Sequence, residues 1–331
     1  MKTLKEIYCG KKILITGGLG FLGSNLAHKL VEFESEITLL DALLPLYGGN
    51  RFNINEIENK VKVIIGDIRD FRLIEKLVEK KDIIFNLAAQ VSYIDSINIP
   101  LEDLDINCKG HLIVLDACRH RNPGAMLVFP SSRMVIGKVN YNPVDENHPT
   151  EPLSIYGIHK LTVEKYYIAY HRTYGLNTVI LRLTNPYGVR QQMKHDKYSL
   201  VGWFLRMAME GKTIKVFGGG SQLRDYVYVD DVAEAFLNAG IYGSGSGQIY
   251  NIGLGKSYEF LEMVEKVLSI VGKGSIEHIP WPENYENIET GDFKLSIEKA
   301  QKDWGWNPSI DLGEGIKRMH IFYKKYQRYY W

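Results

Sequence analysis

Six short apolar runs alternate with segments of helical period down to Leu183, and that alternation decides the fold class. The runs are Lys12–Thr16, Glu36–Asp41, Val61–Asp67, Asp82–Ala89, Ala125–Ser132 and Thr178–Leu183. They are nearly continuous rather than alternating apolar with polar. A strand of that kind is buried on both faces, which requires a parallel sheet covered by helices. The intervening stretches supply the helices. Phe21–Phe33 carries Leu22, Leu26, Leu30 and Phe33 at helical spacing, and Arg72–Glu79, Leu101–His120 and Ile155–Tyr174 follow. Strand–helix repetition predicts a doubly wound α/β fold, whose ligand crevice lies at the carboxyl ends of the strands.

After Pro186 the pattern changes. Helical stretches Ser199–Glu210, Asp231–Ala239, Tyr258–Val271 and Leu312–Tyr323 are separated by short strands and glycine-rich turns at 218–221 and 243–247. We expect a doubly wound (Rossmann) domain over residues 1–185, to which 229–252 returns. A smaller C-terminal lobe of 186–228 and 253–331 would close over the crevice. The length of 331 residues and an apolar fraction of 45% allow both without staples. With 40 Lys and Arg against 39 Asp and Glu, the net charge of +1 provides no footprint for nucleic acid or an anionic membrane. The three cysteines make no disulfide framework, and no histidine pair has metal-ligand spacing with carboxylates on one face. The N-terminal residues lack the apolar core of a signal peptide, so a cytoplasmic protein without a membrane span or a metal is expected.

Three short motifs carry chemistry. In ITGGLGFLG, Gly17, Gly20 and Gly23 lie between a strand and a helix. There a turn demands permissive backbone, and a pyrophosphate can approach the helix amides. Asp41 ends the next strand, where a carboxylate can accept both hydroxyls of an adenosine ribose; Ala42 and Leu43 after it cannot neutralise a 2′-phosphate, which favours NAD over NADP. Tyr156 and Lys160, four residues apart, share one helix face. An ammonium and a pyridinium near a phenol would favour its phenolate over the ordinary value near 10. Ser131 and Ser132 end the fifth strand, where a hydroxyl can donate to a substrate oxygen. Each motif alone also has a plainer reading: tight turns for the glycines, turn formation for Asp41, a surface pair for Tyr156 and Lys160, and capping for the serines.

Together, the GxxGxxG turn, the acidic strand end, GDIRD (66–70), NLAAQ (86–90), PSS (130–132) and YxxxK (156–160) resemble the extended short-chain dehydrogenases/reductases. More narrowly, the chain is similar to the NAD-dependent nucleotide-sugar epimerase/dehydratase family. The resemblance extends through RLTNPYGVRQ (Arg182–Gln191), RDYVYVDDVAEAF (Arg224–Phe236) and YNIGLG (Tyr250–Gly255). It implies that Tyr156 deprotonates a sugar hydroxyl, that Lys160 binds the nicotinamide ribose and lowers the tyrosine pKa, and that Ser132 assists. Gly17, Gly20, Phe21, Leu22, Gly23 and Asp41 would hold the dinucleotide, with Asp67 and Ile68 at the adenine. Leu87, Ala88, Ala89, Gln90 and Asn107 would line its nicotinamide half. Asn185 and Arg224 would hold the substrate diphosphate, a guanidinium fork matching phosphate oxygens. Arg133, Arg190, Leu200, Val216 and Asp292 complete the expected substrate set, Asp292 at the nucleotide ribose. The resemblance also implies a homodimer paired through the helices Leu101–His120 and Ile155–Tyr174, the second carrying Tyr166, Tyr167, Tyr170 and Tyr174.

Within the family, 4,6-dehydratases carry Asp-Glu directly after the active-site hydroxyl residue; Arg133 and Met134 stand here and supply neither the acid nor the base. Epimerisation of a nucleotide-diphospho-sugar is therefore expected, a UDP-sugar 4-epimerase acting through a transient 4-keto sugar on UDP-glucose, UDP-galactose or UDP-glucuronate. A 2-epimerase like that of CDP-tyvelose, sharing the Ala88–Val91 segment, is the alternative. A non-catalytic dinucleotide sensor would ordinarily lack the Tyr/Lys pair. Three departures reshape the site: Ile136 replaces the usual Tyr, Pro130 precedes the serines, and ENIETGD (286–292) lacks the family's diphosphate-binding Arg. Arg133 or Arg190 would then be free to recognise a glucuronate carboxylate.

Overall fold

The computed structural model describes residues 3–45, 47–241, 246–281 and 290–331. Its strands are Lys12–Thr16 (β1), Glu36–Asp41 (β2), Lys62–Ile65 (β3), Ile83–Asn86 (β4), Met126–Ser132 (β5), Asn177–Leu183 (β6), Asn185–Tyr187 (β7), Thr213–Phe217 (β8), Leu223–Tyr228 (β9), Gln248–Ile252 (β10), Ser257–Glu259 (β11) and Ser275–Ile279 (β12). Seven of them form one sheet in the order β10-β6-β5-β4-β1-β2-β3, every neighbouring pair parallel. Alternate residues of β1 feed opposite faces. Ile13 and Ile15 join a core with Leu26, Leu30 and Phe236, whereas Leu14 joins Ile74, Val114, Val163 and Tyr167. Helices thus cover both faces, as the unbroken apolar runs require.

Expected and observed elements differ where tertiary packing decides. β3 and β4 stop at Ile65 and Asn86, and the residues after them turn outward to form the crevice wall. The single helix expected over Leu101–His120 is divided into Pro100–Leu104, a wide π-helical turn Asp105–Gly110, and His111–Arg121. The turn carries Ile106, Asn107, Cys108 and Gly110 into the interior. A Cβ on Gly110 would lie 2.5 Å from Ile68 Cδ1, so a side chain here would have to displace Ile68. The helix Ile155–Tyr174 has its expected bounds.

After β6 the chain builds a second layer. β7, β9 and β11 form a small sheet and β8 pairs with β12, while β10 returns to the main sheet beside β6. The helices Leu200–Met209, Phe260–Val271 and Leu312–Tyr326 enclose a second core around Leu205, Tyr228, Val264, Met319 and Tyr323. Turns at Gly218 (φ 59°) and Gly220 (φ 71°) lead from β8 to β9. Residues 243–245 of the second glycine-rich stretch lie outside the described residues. Among the described residues no helix is long and apolar enough to cross a membrane.

Candidate active site

A cavity of about 820 Å³ opens at the carboxyl ends of the strands and reaches from the glycine-rich turn to the second layer. At one end Gly17 adopts φ 66°, and a Cβ there would stand 2.9 Å from the Ala88 backbone. A Cβ on Gly23 would fall 2.3 Å from Gly17 O, so only glycine lets the helix Phe21–Glu32 seat on the turn. Gly20 caps that helix without a side-chain hydrogen bond, leaving the wall of backbone amides an anion needs. Asp41 lies on the same wall. Its Oδ2 accepts from Leu19 N and its Oδ1 from Leu43 N, both at 2.9 Å, and burial raises its pKa. Each oxygen keeps a lone pair for a ribose hydroxyl. A cradle that any Cβ would fill, facing an acceptor carboxylate, fits an NAD-type dinucleotide. Asp67 and Ile68 also line it; the Asp67 carboxylate, despite burial, is held below its usual pKa by the Arg69 fork at 2.6 and 2.9 Å.

Tyr156 lies in the first turn of Ile155–Tyr174, which is capped by Ser154 accepting from Gly157 N at 3.1 Å. Its hydroxyl lies near Ser132, the last residue of β5. Gly157 is obligatory, since a Cβ would approach Met134 O to 2.5 Å. Lys160 Nζ donates to Pro130 O at 3.1 Å and stands 5.8 Å from the Tyr156 ring centre. Burial pushes the Tyr156 phenol well up, Asp103 adds to that, and only the Ser132 hydroxyl opposes them. Burial equally drives the Lys160 ammonium down, to about 8, against the pull of Asp103, Cys108 and Glu164. Both side chains are buried at the cavity wall, where neutral forms are favoured.

At the other end, Arg133 donates to Asn185 Oδ1 at 3.3 Å and Thr290 Oγ1 at 3.2 Å, and Arg224 donates to the Leu223 and Gly291 carbonyls. Tyr226 lies between these guanidiniums, 2% exposed, its hydroxyl buried without a hydrogen-bond partner. It was not in the expected set, although the Arg-Asp-Tyr order within β9 places it on the wall side with Arg224. Leu200 lines the cavity as expected, joined by Trp203, Phe217 and Trp281, the last two stacked at 5.4 Å.

Five expected side chains stand off this wall. Gln90 and Asn107 are fully buried behind it and bond one another, because the wide turn at 105–110 faces Asn107 inward. Val216 points into the second core by the alternation of β8. Arg190 donates to Asn25 Oδ1 at 2.9 Å and faces a smaller, separate cavity. The Asp292 carboxylate accepts from Leu223 N at 2.9 Å and fastens the start of β9. Gly17, Gly20, Phe21, Leu22, Gly23, Asp41, Leu87, Ala88, Ala89, Ser132, Arg133, Asn185 and Arg224 do line the cavity. Of the segment lacking the expected Arg, residues 286–289 lie outside the described residues.

Residues 13–253 match the model of the NAD dependent epimerase/dehydratase family. A putative UDP-glucose 4-epimerase of Methanocaldococcus jannaschii is 37% identical over 317 residues, covering 96% of this chain and 99% of its own. The UDP-glucose 4-epimerase of Mycolicibacterium smegmatis is 32% identical, with 95% and 98% covered. Among solved structures, the Thermotoga maritima UDP-glucose 4-epimerase with UDP-glucose superposes with a TM-score of 0.86 at 30% identity, covering 96% of this chain and 99% of that one. A matching model over most of the length and relatives aligned end to end agree with the glycine cradle and the Tyr156–Lys160 pair: this chain belongs to the NAD-dependent epimerase/dehydratase family.

Proposed function

We propose that this protein is an NAD-dependent nucleotide-sugar epimerase that inverts C4 of a UDP-sugar. The observation that carries the reading is one cavity holding three things in sequence: a dinucleotide cradle, the Ser132–Tyr156–Lys160 group, and the Arg224–Tyr226 end. The relatives named as UDP-glucose 4-epimerases support the nucleotide and the carbon.

NAD, when bound, supplies a positively charged ring and a reversible acceptor for two electrons and a hydrogen. The chain does the rest. Tyr156 Oη takes the proton of the C4 hydroxyl and returns it after the sugar turns over. Ser132 Oγ, close to that phenol, holds the sugar oxygen during both transfers. Burial raises the phenol in the bare chain, so Tyr156 becomes basic only with cationic charge beside it; Lys160 supplies one such charge. Arg224, Asn185 and Tyr226 bind the diphosphate, and the Phe217–Trp281 stack offers a face to the base. Arg133 and Met134 provide no carboxylate pair, which argues against dehydration.

The test is incubation of NAD-loaded protein with UDP-glucose, UDP-galactose, UDP-glucuronate or a CDP-sugar, with products resolved by chromatography. The expected result is one equilibrium mixture approached from UDP-glucose and from UDP-galactose, without net reduced cofactor. Loss of water from the sugar, or turnover of the CDP-sugar alone, overturns the reading; selective turnover of UDP-glucuronate assigns Arg133 to a carboxylate. The proposal includes a homodimer. Ile97, Leu101 and Ile158 are exposed apolar side chains on the helices Tyr93–Asn98, Pro100–Leu104 and Ile155–Tyr174. A single-chain mass by light scattering removes that part.

A further inference from the structure

Among the buried carboxylates that the proposed reaction does not use, Asp103 stands nearest in sequence to the wide turn. Asp103 has no exposed surface and sits near the end of the short helix Pro100–Leu104, just before the wide turn. Its Oδ1 is hydrogen-bonded to His159 Nδ1, and its Oδ2 accepts from Gln90 Nε2 at 2.8 Å and Asn107 Nδ2 at 3.0 Å. Gln90 and Asn107 are themselves clamped, Gln90 N donating to Asn107 Oδ1 and Asn107 Nδ2 to Gln90 O. His159 directly precedes Lys160, and Cys108 Sγ donates to the His159 carbonyl at 3.6 Å. Three side-chain donors and a stitched backbone thus fix one carboxylate behind the Tyr156–Lys160 pair. No Lys or Arg among the described residues forms an ion pair with it.

That arrangement exceeds what packing demands. An ionised carboxylate costs several kcal/mol to bury unless opposite charge lies near it. The compensation lies in the neighbouring ammonium. Lys160 Nζ has a carbonyl and two ring faces for company. The titratable groups facing it are Tyr156 and Glu164 on its own helix, Asp103 and Cys108 from the segment 103–108, and His111 from the next helix. Of these, Glu164 is already neutralised by the Arg182 fork. Asp103 itself faces His159, Lys160, Tyr156, Cys108 and Tyr47.

We propose that Asp103, pinned by His159, Gln90 and Asn107, is a positioning residue whose negative charge keeps the Lys160 ammonium charged beside Tyr156 and so sets the pH range in which the pair works. This rests on the assignment of Tyr156 and Lys160 as the reacting pair. Such a pair works only with Tyr156 deprotonated and Lys160 protonated, giving an acid limb and an alkaline limb. Removing the negative charge makes both groups release their protons more readily. Both limbs then move toward lower pH together, a displacement that mere loosening of the fold does not produce.

The experiment compares Asp103→Asn, Asp103→Glu and the parent, each loaded with NAD, for UDP-glucose turnover against pH. Asp103→Asn is expected to move both limbs down by roughly one pH unit. Asp103→Glu is expected to restore their positions, even at a reduced maximal rate. A uniform fall in rate with the limbs unmoved overturns the proposal. If Asp103→Asn does not fold, Asp103→Ser, which removes the charge and leaves room for water, takes its place with the same expectation. A second readout needs no turnover: the urea midpoint of each chain against the same chain carrying Lys160→Met. The difference fades as rising pH discharges Lys160, starting at the folded pKa and ending at the unfolded one; with Asp103→Asn the onset should come roughly one pH unit lower while the end stays in place. An unchanged fade overturns the proposal here too. A parent without turnover but with the displaced fade refutes the assigned reaction while leaving the role of Asp103 standing.

Discussion

Lys160 and Glu164 stand one turn apart on the same helix, both buried, and their charges are handled in opposite ways. Glu164 is met by the two-pronged Arg182 fork at 2.9 and 2.8 Å, and Ser131 Oγ donates to it at 2.5 Å. Lys160 has a single carbonyl at 3.1 Å, and burial brings it to about 8. β5 repeats the contrast in adjacent residues: Ser131 turns to Glu164, Ser132 to Tyr156. A charge that holds the fold is neutralised at once by a bidentate partner. A charge kept for chemistry is left under-compensated, so that substrate and cofactor complete its surroundings.

The largest effect expected from this contrast is on the neutralised side. Arg182→Met strands Glu164, which has no exposed surface, and should cost about 3–5 kcal/mol in urea unfolding. Adding Glu164→Leu to Arg182→Met should recover most of the loss, since replacing both partners removes the stranded charge. A single-variant cost under about 1 kcal/mol would mean the pair is no more secured than Lys160, and the comparison would break.

What could be read in the sequence follows the same division. β1, β2 and the helix Ile155–Tyr174 were legible to the residue, because unbroken apolar runs and a capped periodic stretch are local signals. The glycine cradle, Asp41 and the Tyr156–Lys160 spacing were legible for the same reason. Side-chain direction was not. Asn107 faces inward within the wide turn at 105–110, where Gly110 crosses close to Ile68. Arg190 was committed to Asn25, 165 residues earlier, and Tyr226 is approached by Arg133 from the turn after β5. The balance of charge at Tyr156 could not be read either: the ammonium four residues on was visible, whereas the burial that outweighs it is a property of the assembled core.

The under-compensated side yields the next effect. Unfolded, Lys160 has its ordinary value of 10.5; folded, about 8, a difference of about 3 kcal/mol. Between these values the unfolded chain holds a proton the folded chain has released, so stability rises with pH across that window. Below it the full penalty is present. Lys160→Met, measured without added nucleotide, should therefore stabilise the chain by about 3 kcal/mol at pH 7, with most of the gain gone by about pH 10. Destabilisation at pH 7 would show that the ammonium is better compensated than the Pro130 carbonyl and Asp103 together suggest.

The smallest effects separate the two serines, and they sharpen the contrast because only one hydroxyl is exchanged each time. Ser131→Ala removes a short bond to a buried carboxylate that keeps its Arg182 fork, and should cost about 2 kcal/mol in urea. Its turnover should stay near the parent value. Ser132→Ala loses a 3.2 Å bond from Met134 N at the cavity edge, and should cost under about 1 kcal/mol. Turnover should nonetheless fall by roughly ten- to hundredfold, because the lost hydroxyl is the one beside the Tyr156 phenol. Stability and activity would then divide between neighbours on one strand. The alternation of a β-strand sends one hydroxyl into the core and the next into the cavity. If both variants lost activity and stability in the same proportion, the ion pair and the reacting pair would be one coupled network, and the distinction drawn between Lys160 and Glu164 would fail.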